Sequence, residues 1–263
     1  MDLRYVRHTI REGKYALEGL PAFYDEGVTA QTLSVELVDS CTGLEVELLY
    51  GVLEEYDLIT RAVRVRNGGQ TPVDLERVSS VCLDFPVGDH DLITLGGAYA
   101  REREPVRMPL TQGVHTVGSV RGSSSHQQNP FVVLCDHETT EDAGRCWGVA
   151  LVYSGSFQVN AEYTQFHETR LTLGINSPST SVGRSSPESP SPPPRRPWYS
   201  PVRTGPHEPS VPPGHPPQPV PGPWKDQRRP ILINNWEATL FDFDAEKICS
   251  IAKTASQVGV EMM

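Results

Sequence analysis

The residues best suited to chemistry stand near the end of the 263-residue chain, where a polar and aromatic cluster follows a short apolar run. The run covers residues 231–233, and the cluster is Asn234-Asn235-Trp236-Glu237. A short continuous apolar run is typical of a strand buried on both faces of a parallel sheet. In α/β barrels, residues just past the carboxyl end of a strand meet the substrate. The pattern therefore predicts a ligand-binding position at this cluster.

A second candidate is the polar segment of residues 118–131, which contains Arg121 and His126. It is too long and too rich in serine for a hairpin turn, and long ordered loops on a rigid sheet often carry function. Its composition alone also fits a solvated loop with no role beyond connection. Both interpretations stay open from the residues themselves.

Cys135-Asp136-His137 together with Cys146 offers side-chain types that ligate metals. Their spacing fits no closed zinc pattern, and thiols in strands are more often simply buried. We therefore predict neither a metal nor another cofactor.

The stretch after the polar cluster predicts a helix. Asp242 and Asp244 suit a helix start better than a catalytic role, and Gly259 suits a helix end. The apolar residues between them recur at helical spacing: Ile248, Ile251, Ala252, Ala255 and Val258. Residues 260–263 resemble the start of a second strand. The segment therefore predicts one strand-helix unit and the beginning of the next strand.

Residues 1–176 predict antiparallel β-structure throughout. Apolar and polar residues alternate over 33–37 and 44–48, and the Asp39–Gly43 stretch between them supplies a turn. Further strands are predicted at 3–8, 59–65, 78–85, 131–134, 147–153 and 163–173. Turn residues separate these strands at the spacing of a β-sandwich.

Charge and cysteine content restrict the partners. Residues 1–176 carry a net charge of −11, which argues against nucleic acid and anionic membranes. No apolar run approaches the length of a signal region or a transmembrane helix. The five cysteines are odd in number and follow no disulfide framework, so we expect reduced thiols and a cytoplasmic location.

Residues 178–223 differ from both neighbours in composition. With residue 177 they hold 17 of the 24 prolines and contain no Leu, Ile, Met or Phe. Such a segment cannot bury enough apolar surface to offset the entropy of ordering, so we expect it to be disordered.

Several uncommon strings occur in one order and resemble a known family. They are Leu17-Glu18-Gly19-Leu20-Pro21-Ala22, Ala98-Tyr99-Ala100-Arg101-Glu102-Arg103, Ser124-Ser125-His126-Gln127-Gln128-Asn129-Pro130-Phe131, Leu151-Val152-Tyr153-Ser154-Gly155 and Ile233-Asn234-Asn235-Trp236-Glu237-Ala238-Thr239. Together they resemble bacterial alpha-galactosidases of glycoside hydrolase family 36.

The resemblance implies a β-supersandwich over residues 1–177, a foreign segment at 178–223, and the first strand-helix unit of a (β/α)₈ barrel at 224–263. It implies retaining hydrolysis of terminal alpha-galactosides such as melibiose and raffinose, in a tetramer-like homo-oligomer. Trp236 matches the tryptophan that lines the galactose pocket, with Asn235 beside it. His126 belongs to the family-typical loop, where pinning the loop is the simpler role.

The resemblance also implies that parts of the enzyme are missing. The family's nucleophile lies in a Lys-Trp-Asp motif and its acid/base on a later strand, and neither is found in this sequence. We therefore expect a truncated product without its own activity, which lacks the start of its β-domain. The alternative is a non-catalytic β-sandwich module, for carbohydrate binding or protein interaction, with a proline-rich tail.

We predict that the foreign segment is a frameshifted reading of family-like sequence, and the alternative is a genuine proline-rich linker. Plausible codons for the family-like string Pro-Phe-Asp-Phe-Ser-Trp, displaced by one base, encode the Pro-Ser-Thr-Ser-Val-Gly found at residues 178–183. GC-rich coding sequence read out of frame yields Pro, Arg, Ser and Gly, which is the composition observed here. A compensating shift near residue 223 would restore the family-like sequence that follows.

Overall fold

The computed structural model describes residues 2–17, 29–175 apart from Pro72, Asp74, Glu76 and Val87, and 227–263. The chain divides into two compact units, residues 1–219 and 220–263. The predictions for residues 178–223 lie outside the described residues. No helix in the described part of the chain is long and apolar enough to cross a membrane.

The first unit is built from antiparallel strands, as the alternating pattern predicts. They are β1 (Leu3–Glu12), β2 (Gln31–Asp39), β3 (Leu44–Leu53), β4 (Leu58–Asn67), β5 (Val81–Phe85), β6 (His90–Ala98), β7 (Arg101–Pro109), β8 (Gly113–Ser119), β9 (Gln128–Asp136), β10 (Cys146–Ala150), β11 (Phe157–Tyr163) and β12 (Thr169–Ile175). The first sheet has the order β1-β2-β3-β4, the second β5-β12-β11-β8, and the third β10-β9-β6-β7.

The second and third sheets share one apolar core. Its largest fully buried side chain is Phe157 on β11, and it also holds Leu171 and Leu173 from β12. The third sheet contributes Val132 and Leu134 from β9 to the same cluster. Because side chains alternate across a strand, the apolar residues at every second position enter this layer and those between them face outward.

The first sheet buries residues on both of its faces. Leu44 and Val46 of β3 pack with the segment that contains Val73, while Leu49 of the same strand packs with Tyr15. Strand β1 pairs only with β2 in the described sheet, and every residue of β1 is exposed. The expected turn between β2 and β3 is confirmed, with Gly43 at a φ of 73°.

The prediction of one strand over residues 163–173 is wrong, because two strands meet there in a turn. The Thr164 amide donates to the Glu168 carbonyl at 2.9 Å, and the Thr164 hydroxyl accepts from the Phe166 and Glu168 amides. His167 takes the left-handed conformation with a φ of 61°. No glycine marks this turn, so the sequence hides it. The sequence prediction also missed strands β6, β7 and β8, and all of β11 except its last residue.

The second unit contains the predicted helix. Helix α1 covers Trp236–Thr239 and helix α2 covers Ala245–Gln257. Asp244 caps α2 by accepting from the Lys247 amide at 2.8 Å, and Gly259 follows the helix with a φ of 91°. Asp244 therefore starts the helix, as its sequence position predicts.

The two segments that flank α2 lie parallel to each other. Leu232 and Met262 form a parallel bridge, and the Ile233 amide donates to the Met262 carbonyl at 3.0 Å. The expected burial of residues 231–233 on both faces is not observed, since Ile231 is 46% and Leu232 62% exposed. One bridge covers only one edge of the segment, and its apolar side chains need further neighbours to be buried.

Candidate functional site

Three of the strings that carry the family resemblance meet at one end of the first unit. The Ser124 amide donates to the Ser154 carbonyl at 2.8 Å, which joins the 118–131 segment to the turn before β11. The Gly122 amide donates to the Ser156 hydroxyl at 2.9 Å. The Ser119 hydroxyl donates to the Ser123 carbonyl at 2.5 Å. Serine hydroxyls and backbone groups therefore hold this loop in place.

The third string is the β6–β7 turn, which approaches the same loop through a glycine. A β-carbon added at Gly97 would lie 2.5 Å from the Arg101 carbonyl oxygen and 3.0 Å from the His126 carbonyl oxygen. The loop backbone thus lies against a position that only glycine can occupy without a shift. Three non-glycine residues in these two segments have a positive φ: Ala100 (61°), Arg103 (58°) and Ser125 (54°).

The side chains of His126 and Arg121 are exposed on this loop. The hydrogen bonds that hold the loop come from the hydroxyls of Ser119 and Ser156, with the Ser123 carbonyl and the Gly122 amide as partners. The serine-rich composition of the segment was the sequence signal for these hydrogen bonds, although it does not say which hydroxyl binds which backbone group. His126 is left at the surface, where its imidazole can contact a ligand.

The polar cluster of the second unit forms a short, locally bonded turn of helix. The Trp236 amide donates to the Asn234 side-chain oxygen at 3.0 Å. The side-chain amide nitrogen of Asn235 donates to the Thr239 hydroxyl at 2.7 Å, and that hydroxyl donates back to the backbone carbonyl of Asn235. Both asparagines therefore shape α1, and the side-chain amide nitrogen of Asn235 is already hydrogen-bonded to Thr239.

Trp236 combines a fixed backbone with an exposed ring. The residue is 48% exposed, and its indole meets the ring of Phe241 edge to face, with centroids 5.0 Å apart. Glu261 holds the segment that precedes Trp236. Its carboxylate accepts from the Ile231 amide at 2.8 Å and from Arg228 at 2.7 Å. The Ile231 hydrogen bond and Arg228 together keep the pKa of Glu261 below its usual range. The result is an aromatic platform on a braced segment.

A separate polar cluster lies beside the loop of residues 137–145 in the first unit. Arg107 donates to the Asp91 carboxylate at 2.6 Å and to the carbonyls of Asp136, His137 and Thr139. His137 contacts the Asp91 carboxylate at 2.5 Å through Nδ1 and the Asp89 carboxylate at 2.6 Å through Nε2. Both imidazole nitrogens thus face carboxylates, and His137, one of the candidate metal ligands of the sequence, belongs to this clasp of the loop.

The pKa values within this clasp follow from its contacts. Burial raises the pKa of Asp91, but the hydrogen bonds from Arg107 and His137 outweigh burial and leave it below the usual value. The hydrogen bonds to Asp89 and Asp91 raise the pKa of His137. Burial lowers the pKa of the neighbouring His90, although Asp136 acts in the opposite direction.

Comparison with known proteins places both units in one family. Residues 1–183 match the family model of the glycosyl hydrolase family 36 N-terminal domain, and residues 218–263 match the Melibiase model. The match at 218–263 and the alpha-galactosidase relatives disfavour the alternative of a stand-alone β-sandwich module with a tail, because the similarity reaches beyond the β-domain.

Individual relatives match along the entire chain. The bifunctional alpha-galactosidase/sucrose kinase AgaSK of Mediterraneibacter gnavus is 41% identical over 262 residues, and alpha-galactosidase AgaA of Geobacillus stearothermophilus is 42% identical over 263. Each match covers 100% of this chain but only 28% and 36% of the respective relative.

Solved structures give the same result. The crystal structure of AgaA has a TM-score of 0.81 at 39% identity, and it covers 99% of this chain and 36% of its own. The galactosidase domain of AgaSK has a TM-score of 0.79 at 38% identity, with the same coverage. One AgaA variant was solved in complex with raffinose and another with stachyose. The sequence strings, the antiparallel sheets and these matches together show that the chain belongs to glycosyl hydrolase family 36.

Proposed function

We propose that this chain supplies the N-terminal β-domain and the first part of the catalytic barrel of an alpha-galactosidase. The reaction would be the retaining hydrolysis of terminal alpha-linked galactose, with substrates of the raffinose and stachyose type seen in complexes of AgaA variants. Retaining hydrolysis needs two carboxyl groups about 5 Å apart. Support comes from the family match over residues 1–183 and from relatives that are alpha-galactosidases.

The observation that carries the proposal for the second unit is the exposed, braced ring of Trp236. One face of galactose presents C–H groups, which pack well on a flat aromatic ring, while its hydroxyls need hydrogen-bond partners at the edge. Since the Asn235 amide nitrogen is bound to Thr239, its side-chain oxygen is the group we propose for a sugar hydroxyl. Trp236 would then orient the sugar and exclude water from one face.

His126 is the proposed sugar contact of the first unit. Its exposed imidazole can donate to or accept from a hydroxyl, and the loop that carries it is held by serine hydrogen bonds. A loop fixed in this way loses little further entropy when it binds a ligand. We also propose a homo-oligomer and a cytoplasmic location; the five free thiols support the location, because reduced thiols persist there.

The first test is the activity of the chain alone. Because neither family catalytic carboxylate is found in the 263 residues, we expect the purified chain to release no nitrophenol from a nitrophenyl alpha-galactoside above a buffer blank. AgaA serves as the positive control. Turnover that depends on the chain and stops with a galactose-like inhibitor would contradict this expectation and show that the chain has a catalytic site of its own.

The second test measures the role of Trp236 in an active enzyme. Residues 227–263 would replace the aligned residues of AgaA, and Trp236→Ala would then be made in this chimera. Loss of a face that packs on the sugar should lower kcat/KM at least about tenfold, equivalent to about 1.4 kcal/mol.

Phe243→Ala is the matched control for that test. Phe243 is 52% exposed, close to the exposure of Trp236, so both changes remove a half-exposed aromatic ring from the same unit. We expect kcat/KM of the control chimera to stay within a factor of a few of the unsubstituted one. Equal losses of kcat/KM in both variants would contradict the proposed sugar-binding role of Trp236.

A further inference from the structure

Two thiols lie opposite each other on the outer face of the third sheet. Cys135 of β9 and Cys146 of β10 are direct partners in the antiparallel register. Leu134, the neighbour of Cys135, points into the shared core, so Cys135 points to the other face of the sheet. Both thiols therefore project from the same side of one strand pair.

The register also sets the separation of the two residues. The next pair along the ladder is Asp136 and Arg145, in which the Asp136 amide donates to the Arg145 carbonyl at 3.2 Å. Hydrogen-bonded and non-hydrogen-bonded pairs alternate, so Cys135 and Cys146 form a non-hydrogen-bonded pair with α-carbons about 4.5 Å apart. Disulfides span α-carbon separations of about 4.4–6.8 Å. The backbone can therefore accept a disulfide here without a large shift.

The two thiols differ in their access to reagents. Cys135 is completely buried, whereas Cys146 is half-buried. The Cα partner of Cys135 on its other side is Asp91, which belongs to the clasp that Arg107 forms with the 137–145 loop. Burial raises the pKa of the Cys135 thiol, so this sulfur is mostly protonated until a reaction partner comes close. A reagent from solvent should meet Cys146 first.

We propose that Cys135 and Cys146 form a reversible disulfide when the chain meets a small disulfide such as oxidised glutathione. The Cys146 thiolate attacks one sulfur of the reagent and expels the first glutathione thiolate. Cys135 then loses its proton to water, attacks the Cys146 sulfur and expels the second. The two protein thiols are oxidised, and one glutathione disulfide is reduced to two thiols.

The consequence is a covalent link across both ends of the 137–145 loop. In the reduced chain the loop is held by the Arg107 contacts and by the hydrogen bond from the Asp136 amide to the Arg145 carbonyl. The disulfide would close the same loop covalently and restrict its opening. This proposal does not rest on galactoside binding.

The test uses the full chain with the three exposed cysteines replaced: Cys41→Ser, Cys82→Ser and Cys249→Ser. After incubation with oxidised glutathione, the intact mass should fall by two hydrogen atoms, with no glutathione retained. A dithiol reductant should restore the original mass. Hydrogen exchange of the 137–145 amides should be slower in the oxidised form.

Two further substitutions in that background separate the steps. Cys135→Ser should leave a stable glutathione adduct on Cys146, whereas Cys146→Ser should leave the mass unchanged because Cys135 is buried. An adduct on Cys146 that persists while Cys135 is still a thiol would overturn the proposal, as would an unchanged mass. If the substituted chain does not fold, peptide mapping of the unsubstituted oxidised chain decides, since it must contain a Cys135–Cys146 linked peptide.

Discussion

His137 shows how one residue changes its meaning between sequence and structure. Next to Cys135 and Asp136 it suggests a metal ligand, yet its two nitrogens face the carboxylates of Asp89 and Asp91. Asp91 is shared with Arg107, which in turn binds three carbonyls of the loop. A cationic imidazole suits this position, because it can donate from both nitrogens at once.

We predict that Asp89→Asn lowers the pKa of His137. The hydrogen bonds to Asp89 and Asp91 hold that pKa above 6.5, and an amide in place of the Asp89 carboxylate removes one of the two charges. Titration of the His137 ring signals by NMR measures the change. Asp57→Asn, in the connection between β3 and β4, is the control that removes one acidic charge elsewhere. An unchanged His137 pKa in Asp89→Asn would contradict the prediction.

The sign of the pH effect follows from these shifts. The pKa of His137 is raised, so its contribution to stability is complete below about pH 6.5 and is lost as the pH rises through the raised value. The pKa of Asp91 is lowered, so its contribution is lost as the pH falls below about 3.8 toward the lowered value. The pKa of His90 is lowered, so its protonation destabilises the folded chain as the pH falls below about 6.5. This effect opposes the contribution of His137. Site-specific titration is therefore more informative than overall stability.

At the scale of elements, the candidate loop depends on the strand pair beside it. The β6–β7 turn and the 118–131 segment approach each other at Gly97, where three backbone atoms surround the place of a β-carbon. A β-carbon added at Gly96, the neighbouring residue on β6, would have only the Gln127 carbonyl oxygen within 4 Å, at 3.7 Å. Two adjacent glycines thus have very different roles in holding the loop.

We predict that Gly97→Ala destabilises the chain and Gly96→Ala does not. The alanine methyl at residue 97 would overlap the Arg101 and His126 carbonyl oxygens, and overpacking of this kind costs about 1–3 kcal/mol. At residue 96 the methyl would make an ordinary contact, so the free energy of unfolding should change by less than about 0.5 kcal/mol. Urea unfolding of the two variants measures the difference. Equal stabilities would show that the loop does not depend on this close approach.

At the scale of the whole molecule, the two units differ in how well they bury apolar surface. The first unit encloses a twelve-residue buried core between two sheets. In the second unit, among the described residues, Ala255 is the only buried hydrophobic residue, while Trp236, Phe241 and Phe243 are all exposed. If the second unit is the first part of a barrel, as we propose, neighbouring strands and helices would cover the apolar surface that it leaves exposed here.

We predict that the gene encodes an ordinary family sequence for residues 178–223 in another reading frame. The relatives align across 99–100% of the chain, as a replacement of similar length requires. Translation of the nucleotide sequence in the other two forward frames tests this directly. One of them should yield a segment with alternating apolar residues that joins residue 177 to residue 224. A proline-rich translation in the native frame alone, with no such segment in either other frame, would identify a genuine linker.

The sequence by itself determined the local and patterned features. Alternation over 33–37 and 44–48 set the β2–β3 hairpin, and Asp244 and Gly259 marked the ends of α2, because these signals act over a few neighbouring residues. The turn at residues 164–168 escaped prediction, since a threonine hydroxyl and a left-handed histidine formed it without a glycine.

Tertiary structure decided which distant residues meet. Only strand pairing brings Cys135 opposite Cys146, and only the folded sheet brings Asp91, Arg107 and His137 into one clasp. The exposure of Ile231 and Leu232 likewise depends on what surrounds them, and the same apolar run would be buried beside further strands. Pairings of this kind depend on register and on the arrangement of whole sheets, and no short stretch of sequence records them.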